Sequence, residues 1–220
     1  MFRDILTEAR QIVLELLSRV GEVRTFYLAG GTALALHLRH RRSGDFDFFR
    51  GKDFLPQDLL SSLRETGTVR VLQEATGTLT VTLREVPASF FHYDYPLLRP
   101  LHESPWSLSL ADPEDIAAMK LAALAGRGSR KDFVDLYVYT REVAPLEQTF
   151  SRFREKYRGV SVDPYHLVRS LTFFEDAEAE PMPDMLVPFA WDQITAFFRA
   201  EATRLFRTLP QSPIGELIPR

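Results

Sequence analysis

The sequence of 220 residues contains no cysteine. That excludes a disulfide scaffold and any zinc or iron–sulfur site held by thiolates, and it fits a reducing compartment. Lysine is nearly missing too. Among 27 basic residues only Lys52, Lys120, Lys131 and Lys156 are lysine, and the remainder are arginine. Two readings of that skew stand side by side: codon bias in a GC-rich genome, and guanidinium recognition of phosphate. No apolar run reaches the length of a membrane span, and Asp4 and Glu8 stand where a signal peptide would be apolar. The expectation is a cytoplasmic protein with no membrane partner. Internal repeats and low-complexity tracts are also missing. A net charge of −3 provides no global basic field of the kind that announces nucleic acid.

What remains is ordinary globular material. Hydrophobic residues make up 45% of the chain and aromatic ones 12%, enough for a sizeable core and too much for a disordered chain. The length suits one large domain, or one domain with a helical appendage. Ile5, Ala9, Ile12, Val13, Leu16, Leu17 and Val20 recur at helical spacing until Gly21. Phe26 to Ala29 reads as a short strand running into Gly30-Gly31-Thr32, followed by a helix from Ala33 to about His40. Phe46, Phe48 and Phe49 mark a strand with Asp45 and Asp47 interleaved. A helix from Pro56 to about Glu65 comes next. Strands are expected near Val69–Gln73, Leu79–Leu83 and Ala88–Tyr93, and a loop from Pro96 to Pro105.

The second half reads as helical. Asp112-Pro113-Glu114-Asp115 combines an N-cap, a proline at the first helical position and acids at the positive end of the helix dipole. That helix runs to Gly126. Ser129 caps the next one, with Asp132 three residues on, and it continues to about Glu142. Further helices are expected at Leu146–Tyr157, Pro164–Phe174 and Pro188–Phe206. The acidic, proline-rich stretch Glu175–Pro188 is expected to be a loop, and the tail after Pro210 to be extended. The division between halves falls near residue 110, giving domains at 1–110 and 111–220.

Two features bear chemistry. A glycine pair between strand and helix allows a sharp turn and close backbone approach to a ligand, and the helix beyond offers free N–H groups and a positive dipole end suited to phosphate. Thr32 adds a hydroxyl there. Asp45 and Asp47, two apart on a strand, leave by the same face, where two carboxylates repel unless something cationic holds them. Hard divalent ions such as Mg²⁺ are bound this way, together with substrate phosphates. A phosphate cradle beside a carboxylate pair describes a metal-dependent nucleotide site.

The string LAGGTALALHLRHRRSGDFDFF, residues 28–49, resembles the AbiEii/AbiGii-type toxin nucleotidyltransferases of the DNA polymerase β-like superfamily. LADPEDIAAMKLAALAGRGSRKDFVDLYVY, residues 110–139, is similar to that family's helical segment. The resemblance implies an α+β fold: an N-terminal nucleotidyltransferase-like mixed sheet flanked by helices, then a C-terminal helical bundle. It implies transfer of NMP from an NTP with Mg²⁺ or Mn²⁺, an acceptor such as tRNA or another RNA, and a cognate antitoxin protein in a toxin–antitoxin or phage-defence pair. Asp45 and Asp47 would bind the metal. Gly30, Gly31, Thr32, Arg42, Ser43 and Arg127 would bind nucleotide or phosphate.

Lys120 stands out independently. Its neighbours on the helix, Ile116, Ala117, Ala123 and Leu124, are apolar, so a scarce lysine lies on a buried face and needs an anionic partner. A triphosphate and the Asp45/Asp47 pair are the candidates. Asp132 and Asp135 share a helix face. By resemblance one of them joins Lys120 in the catalytic set, and Lys131 could pair with Asp135. Arg127 and Arg130 could approach phosphates from the turn between helices. His37, Arg39, His40, Arg41 and Arg42 form the densest basic cluster, readable as a solvated helix end or as a funnel for nucleotide or RNA.

One departure from the superfamily stands out. A third carboxylate commonly sits on a later strand beside the pair, and here Ala88 and Ser89 occupy that place. Asp94 is the nearest candidate. Otherwise a helix aspartate substitutes, two carboxylates suffice, or this chain is catalytically impaired. The last case defines an alternative function, a nucleotide-binding module acting through a protein or RNA partner.

Overall fold

A strand with phenylalanine at every second position can be buried on one face while its alternate residues point to the other. Phe46 and Phe48 do this at the middle of the sheet. A computed structural model describes residues 1–209. In it β2 (Phe46–Arg50) lies between β1 (Tyr27–Ala29) and β5 (Val86–His92). Beyond β5 come β4 (Thr78–Leu83) and the edge strand β3 (Val69–Ala75). On the other side β1 is followed by β7 (Ser109–Leu110) and β6 (His102–Glu103), so the order is β3-β4-β5-β2-β1-β7-β6. The sheet is mixed: β1 runs antiparallel to β2, while β2–β5 and β1–β7 are parallel.

The first helix, α1 (Glu8–Ser18), buries Val13, Leu14 and Leu17. The glycine pair opens α2 (Gly30–Leu38), and Pro56 opens α3 (Pro56–Arg64). Asp112 caps α4 (Pro113–Arg127), its carboxylate accepting the Glu114 N–H at 2.8 Å. Helix α5 (Arg130–Glu142) follows after a tight turn, then α6 (Leu146–Lys156), α7 (Pro164–Ser170), α8 (Glu175–Glu178) and α9 (Trp191–Thr208). Helix α2 packs on both α4 and α5, so the helical half sits directly behind the glycine turn. One cluster of buried side chains runs from Ile5 to Leu205 across both halves.

The architecture agrees with the sequence reading, with local corrections. Helix α2 begins at Gly30 rather than Ala33 and stops at Leu38, because Arg39 turns left-handed at φ 56°. The expected loop Pro96–Pro105 holds the two-residue strand β6, and β7 follows it at Ser109–Leu110; both are too short for an alternation pattern to reveal. The expected loop Glu175–Pro188 holds α8, and beyond it Met185 forms an antiparallel bridge with Arg41. The tail expected after Pro210 lies outside the described residues. No helix among those described is long and apolar enough to cross a membrane.

A second scarce lysine is spent on the fold. Lys156 donates to Asp115 at 2.7 Å and to the Pro96 carbonyl at 2.8 Å, with both charged side chains fully buried. Asp115 also accepts the Leu98 and Arg99 N–H groups at 3.0 Å. This pair fastens the 96–99 segment to α4 and α6. Either partner alone would be an uncompensated buried charge.

Candidate active site

The turn from β1 into α2 is built by glycine for two separate reasons. Gly30 holds φ +66°, and a Cβ there would fall 2.7 Å from Asp47 Oδ2. Gly31 carries the Arg41 guanidinium so closely that a Cβ would fall 2.1 Å from its Nη2. The turn thus touches the carboxylate on one side and a buried arginine on the other. Gly30→Ala is expected to lower stability by about 1–2 kcal/mol through its left-handed backbone and to push Asp47 out of position. Thermal melting together with turnover would read both effects, and turnover should fall further than stability alone explains.

Asp45 and Asp47 line one cleft of about 840 Å³, together with Gly31, Thr32, Ser43 and Asp132. Asp45 is exposed and stands just before β2. Its nearest cation is Lys131, at 3.9 Å. That corrects the sequence expectation of a Lys131–Asp135 pair, since Asp135 points into the core. Asp47 takes no hydrogen bond and no ion pair from any described residue. Burial raises its pKa above the usual carboxylate range, while Lys120 and Lys131 pull against the rise. Thr32 Oγ1 donates to the Asp45 carbonyl at 2.5 Å and lies 2.8 Å from Ser43 Oγ. Both hydroxyls therefore fix the backbone that carries the pair. Two hard oxygen donors, one unpaired and the other met only by an exposed lysine at 3.9 Å, suit a divalent ion with bound phosphates. Among the described residues no third His, Cys, Asp or Glu completes such a cluster.

Behind the cleft lies a charge network that the sequence revealed only in part. Lys120 is buried, and its ammonium reaches Asp132 at 2.6 Å and Asp135 at 2.8 Å. Its partners are these helix carboxylates, not the Asp45/Asp47 pair expected as one candidate. Burial works against the charge, but Asp135 and Asp132 outweigh it and hold the lysine pKa above its ordinary value. Arg41 grips Asp135 with two bonds, Nε–Oδ1 at 2.6 Å and Nη2–Oδ2 at 2.9 Å, and His40 Nε2 lies 2.7 Å from Oδ1. Burial would raise the Asp135 pKa, yet Lys120 and Arg41 hold it well below the usual range. Asp132 accepts from the Ser129 N–H at 3.0 Å and from its hydroxyl at 2.7 Å, completing the expected cap of α5. Burial raises its pKa, and Lys120 and Ser129 lower it by more. Only one of the two aspartates lines the cleft. Asp132 faces the cleft, and Asp135 holds the network together from the core.

The basic cluster at 37–42 disperses. Arg39 turns outward to Asp4 at 2.6 Å, and His37 meets the Ala111 carbonyl at 3.0 Å. His40 and Arg41 are buried on Asp135, so that of the cluster's two arginines lining the cleft only Arg42 is exposed. Its side chain meets Asp184 at 3.3 Å, and its N–H donates to the Asp184 carbonyl at 2.7 Å. Pro183 and Asp184 thereby wall one side of the site, a contribution from the expected loop that sequence patterning does not signal. Arg127 is exposed and pairs with Asp176 at 3.5 Å, away from the cleft lining. Arg130 donates to the Ala177 and Glu178 carbonyls and stacks on Trp191, so it serves packing.

Asp94 is excluded as the third carboxylate by topology. The parallel register of β2 and β5 sets Asp47 beside Ser89 and Arg50 beside His92. Asp94 follows the far end of β5, roughly 15 Å along the strand from Ser89. Asp132 is a further carboxylate lining the cleft, carried by a helix instead of a strand.

Comparison with known proteins gives a family and a fold. The sequence profile described as "Nucleotidyl transferase AbiEii toxin, Type IV TA system" matches residues 11–100 and 98–212. An uncharacterized protein of Aquifex aeolicus (strain VF5) is 37% identical over 201 residues, covering 90% of this chain and 95% of that protein. A crystal structure from H. pylori, assigned as a nucleotidyltransferase, superposes with TM-score 0.54 at 17% identity, over 94% of this chain and 100% of the other. The structure of ANT(2″)-Ia in complex with adenylyl-2″-tobramycin superposes with TM-score 0.50 at 13% identity, over 69% and 99%. These two structural likenesses concern the fold.

Proposed function

The chain belongs to the AbiEii nucleotidyltransferase toxin family, and from that premise we propose that it transfers NMP from an NTP, with Mg²⁺ or Mn²⁺, to an RNA hydroxyl such as a tRNA 3′ end. Its biological role in this reading is the toxin of a bacterial type IV toxin–antitoxin pair, restrained by a cognate antitoxin. The observation that carries the chemistry is Asp47, a half-buried carboxylate with no hydrogen bond or ion pair from the described residues, set against the Gly30 turn and facing the same cleft as Asp45.

Asp45 and Asp47 would hold the divalent ion. When bound, that ion supplies Lewis-acid polarisation of the α-phosphate and neutralises the triphosphate. The protein's own groups do the rest. The open N-terminus of α2, with Ala29 as a cap that offers no side-chain acceptor, leaves N–H groups for phosphate oxygens. Lys120 and Lys131 offset the burial of Asp47 and so favour its ionised form. The acceptor hydroxyl attacks the α-phosphorus in line, its proton passes to a cleft carboxylate, and pyrophosphate leaves.

The test is incubation with Mg²⁺, α-labelled NTPs and total tRNA. Label is expected on RNA with one nucleotide preferred, and Asp45→Ala should remove it. No transfer from any nucleotide, with Asp45→Ala indistinguishable from the native protein, would sink the reading. Ser89 in place of a strand carboxylate motivates the second reading, a nucleotide-binding module without turnover. It predicts nucleotide binding that survives Asp47→Asn and no pyrophosphate release.

A further inference from the structure

Arg10 heads the apolar stripe of α1. It lies three, four and seven residues before Val13, Leu14 and Leu17, all buried, so its stem follows their face while its head reaches the cleft. The guanidinium lies flat over Gly44. A Cβ on that glycine would fall 2.0 Å from Nη2, 2.2 Å from Cζ and 2.4 Å from Nε. Glycine at 44 is thus the seat of the arginine.

The other cations of the cleft have partners. Arg41 is held by Asp135, Lys120 by Asp132 and Asp135, Arg42 by Asp184, and Lys131 faces Asp45. Arg10 makes no hydrogen bond or ion pair with any described residue. A half-buried arginine donates in a rigid fork that fits phosphate oxygens, and one without an anion in a cleft is a receptor awaiting one.

We propose that Arg10 receives the polyphosphate tail of the NTP and sets the preference for triphosphates over monophosphates. The proposal rests on the nucleotidyl-transfer reading. Its location favours the tail over the acceptor. Gly44 adjoins Ser43, whose hydroxyl lies 2.8 Å from Thr32 Oγ1 in the first turn of α2. Arg10 therefore borders the helix end that draws anions, on the ledge that leads to Asp45.

The experiment measures binding by calorimetry of inorganic tripolyphosphate, the four NTPs and the four NMPs to the intact chain and to Arg10→Ala, Arg10→Lys and Gly44→Ala. Arg10→Ala should weaken tripolyphosphate and NTP binding about 10- to 100-fold and leave NMP binding and the melting temperature unchanged. Arg10→Lys should recover part of the loss. Gly44→Ala should copy Arg10→Ala, because it displaces only the flexible end of a side chain. In turnover, KM for NTP should rise with kcat little changed. Unchanged tripolyphosphate affinity in Arg10→Ala, equal losses for NTP and NMP, or a loss confined to RNA binding would each overturn the assignment. If the native protein binds neither NTP nor tripolyphosphate, the transfer reading itself fails and the assignment falls with it.

Discussion

Asp135→Ala lowers stability by about 3–5 kcal/mol, the expected cost of removing one partner from a buried ion network. Two full cations, Arg41 and Lys120, bond to this one carboxylate, and His40 leans on it as well. Removing it leaves a guanidinium without its anion and an ammonium with Asp132 alone. In a chain of this length the loss corresponds to roughly 10 °C in melting temperature. Asp135→Asn keeps the shape and loses the charge, and should fall between. The effect has a pH signature. The folded pKa values of Asp135 and Asp132 lie below the ordinary 3.8. Their contribution is therefore complete above about pH 4 and is withdrawn as pH falls through the lower folded values. Urea melts between pH 7 and pH 2 should show the native protein losing stability more steeply at the acid end than Asp135→Ala, which has less to lose. A variant as stable as the native protein would contradict this assignment.

Asp47→Asn separates activity from stability in the opposite way. Turnover should fall at least about 1,000-fold, since the several kcal/mol of charge stabilisation gathered at the carboxylate pair is lost at 1.36 kcal/mol per tenfold. The melting temperature should hold or rise. Burial raises the Asp47 pKa, so its ionised form opposes folding at neutral pH, and a neutral amide removes that opposition. A chain that keeps such a group keeps it for its chemistry. Steady-state pyrophosphate release beside a thermal melt checks both halves. Loss of stability parallel to loss of activity would assign Asp47 to the scaffold instead.

These two aspartates show what was legible in the sequence and what was not. Asp45, Asp47 and the glycine pair could be read because a strand's two-residue period and a glycine turn are local facts. Lys120 could be read because a charge on an apolar helix face is conspicuous when only four lysines exist. Its partner could not be read. Asp132 and Asp135 lie on the next helix, and nothing in their spacing says which one turns toward the cleft. The basic cluster at 37–42 misled for a similar reason: consecutive residues leaving a helix fan out, and Arg39 at φ 56° sends them in different directions. Arg10 was within reach. It occupies the apolar stripe of α1 as Lys120 does that of α4, yet twenty-odd arginines hide one another. The wall made by Pro183 and Asp184 had no local signal, because it depends on Met185 pairing with Arg41 across more than a hundred residues of chain.

The most direct measurement is a crystal structure of the protein soaked with Mn²⁺ and a non-hydrolysable NTP, read by anomalous scattering. Manganese is expected to be coordinated directly by oxygens of both Asp45 and Asp47, with phosphate oxygens of the same nucleotide against the Gly30–Gly31 turn. Manganese and nucleotide bound elsewhere, with the two carboxylates left facing solvent, would contradict it.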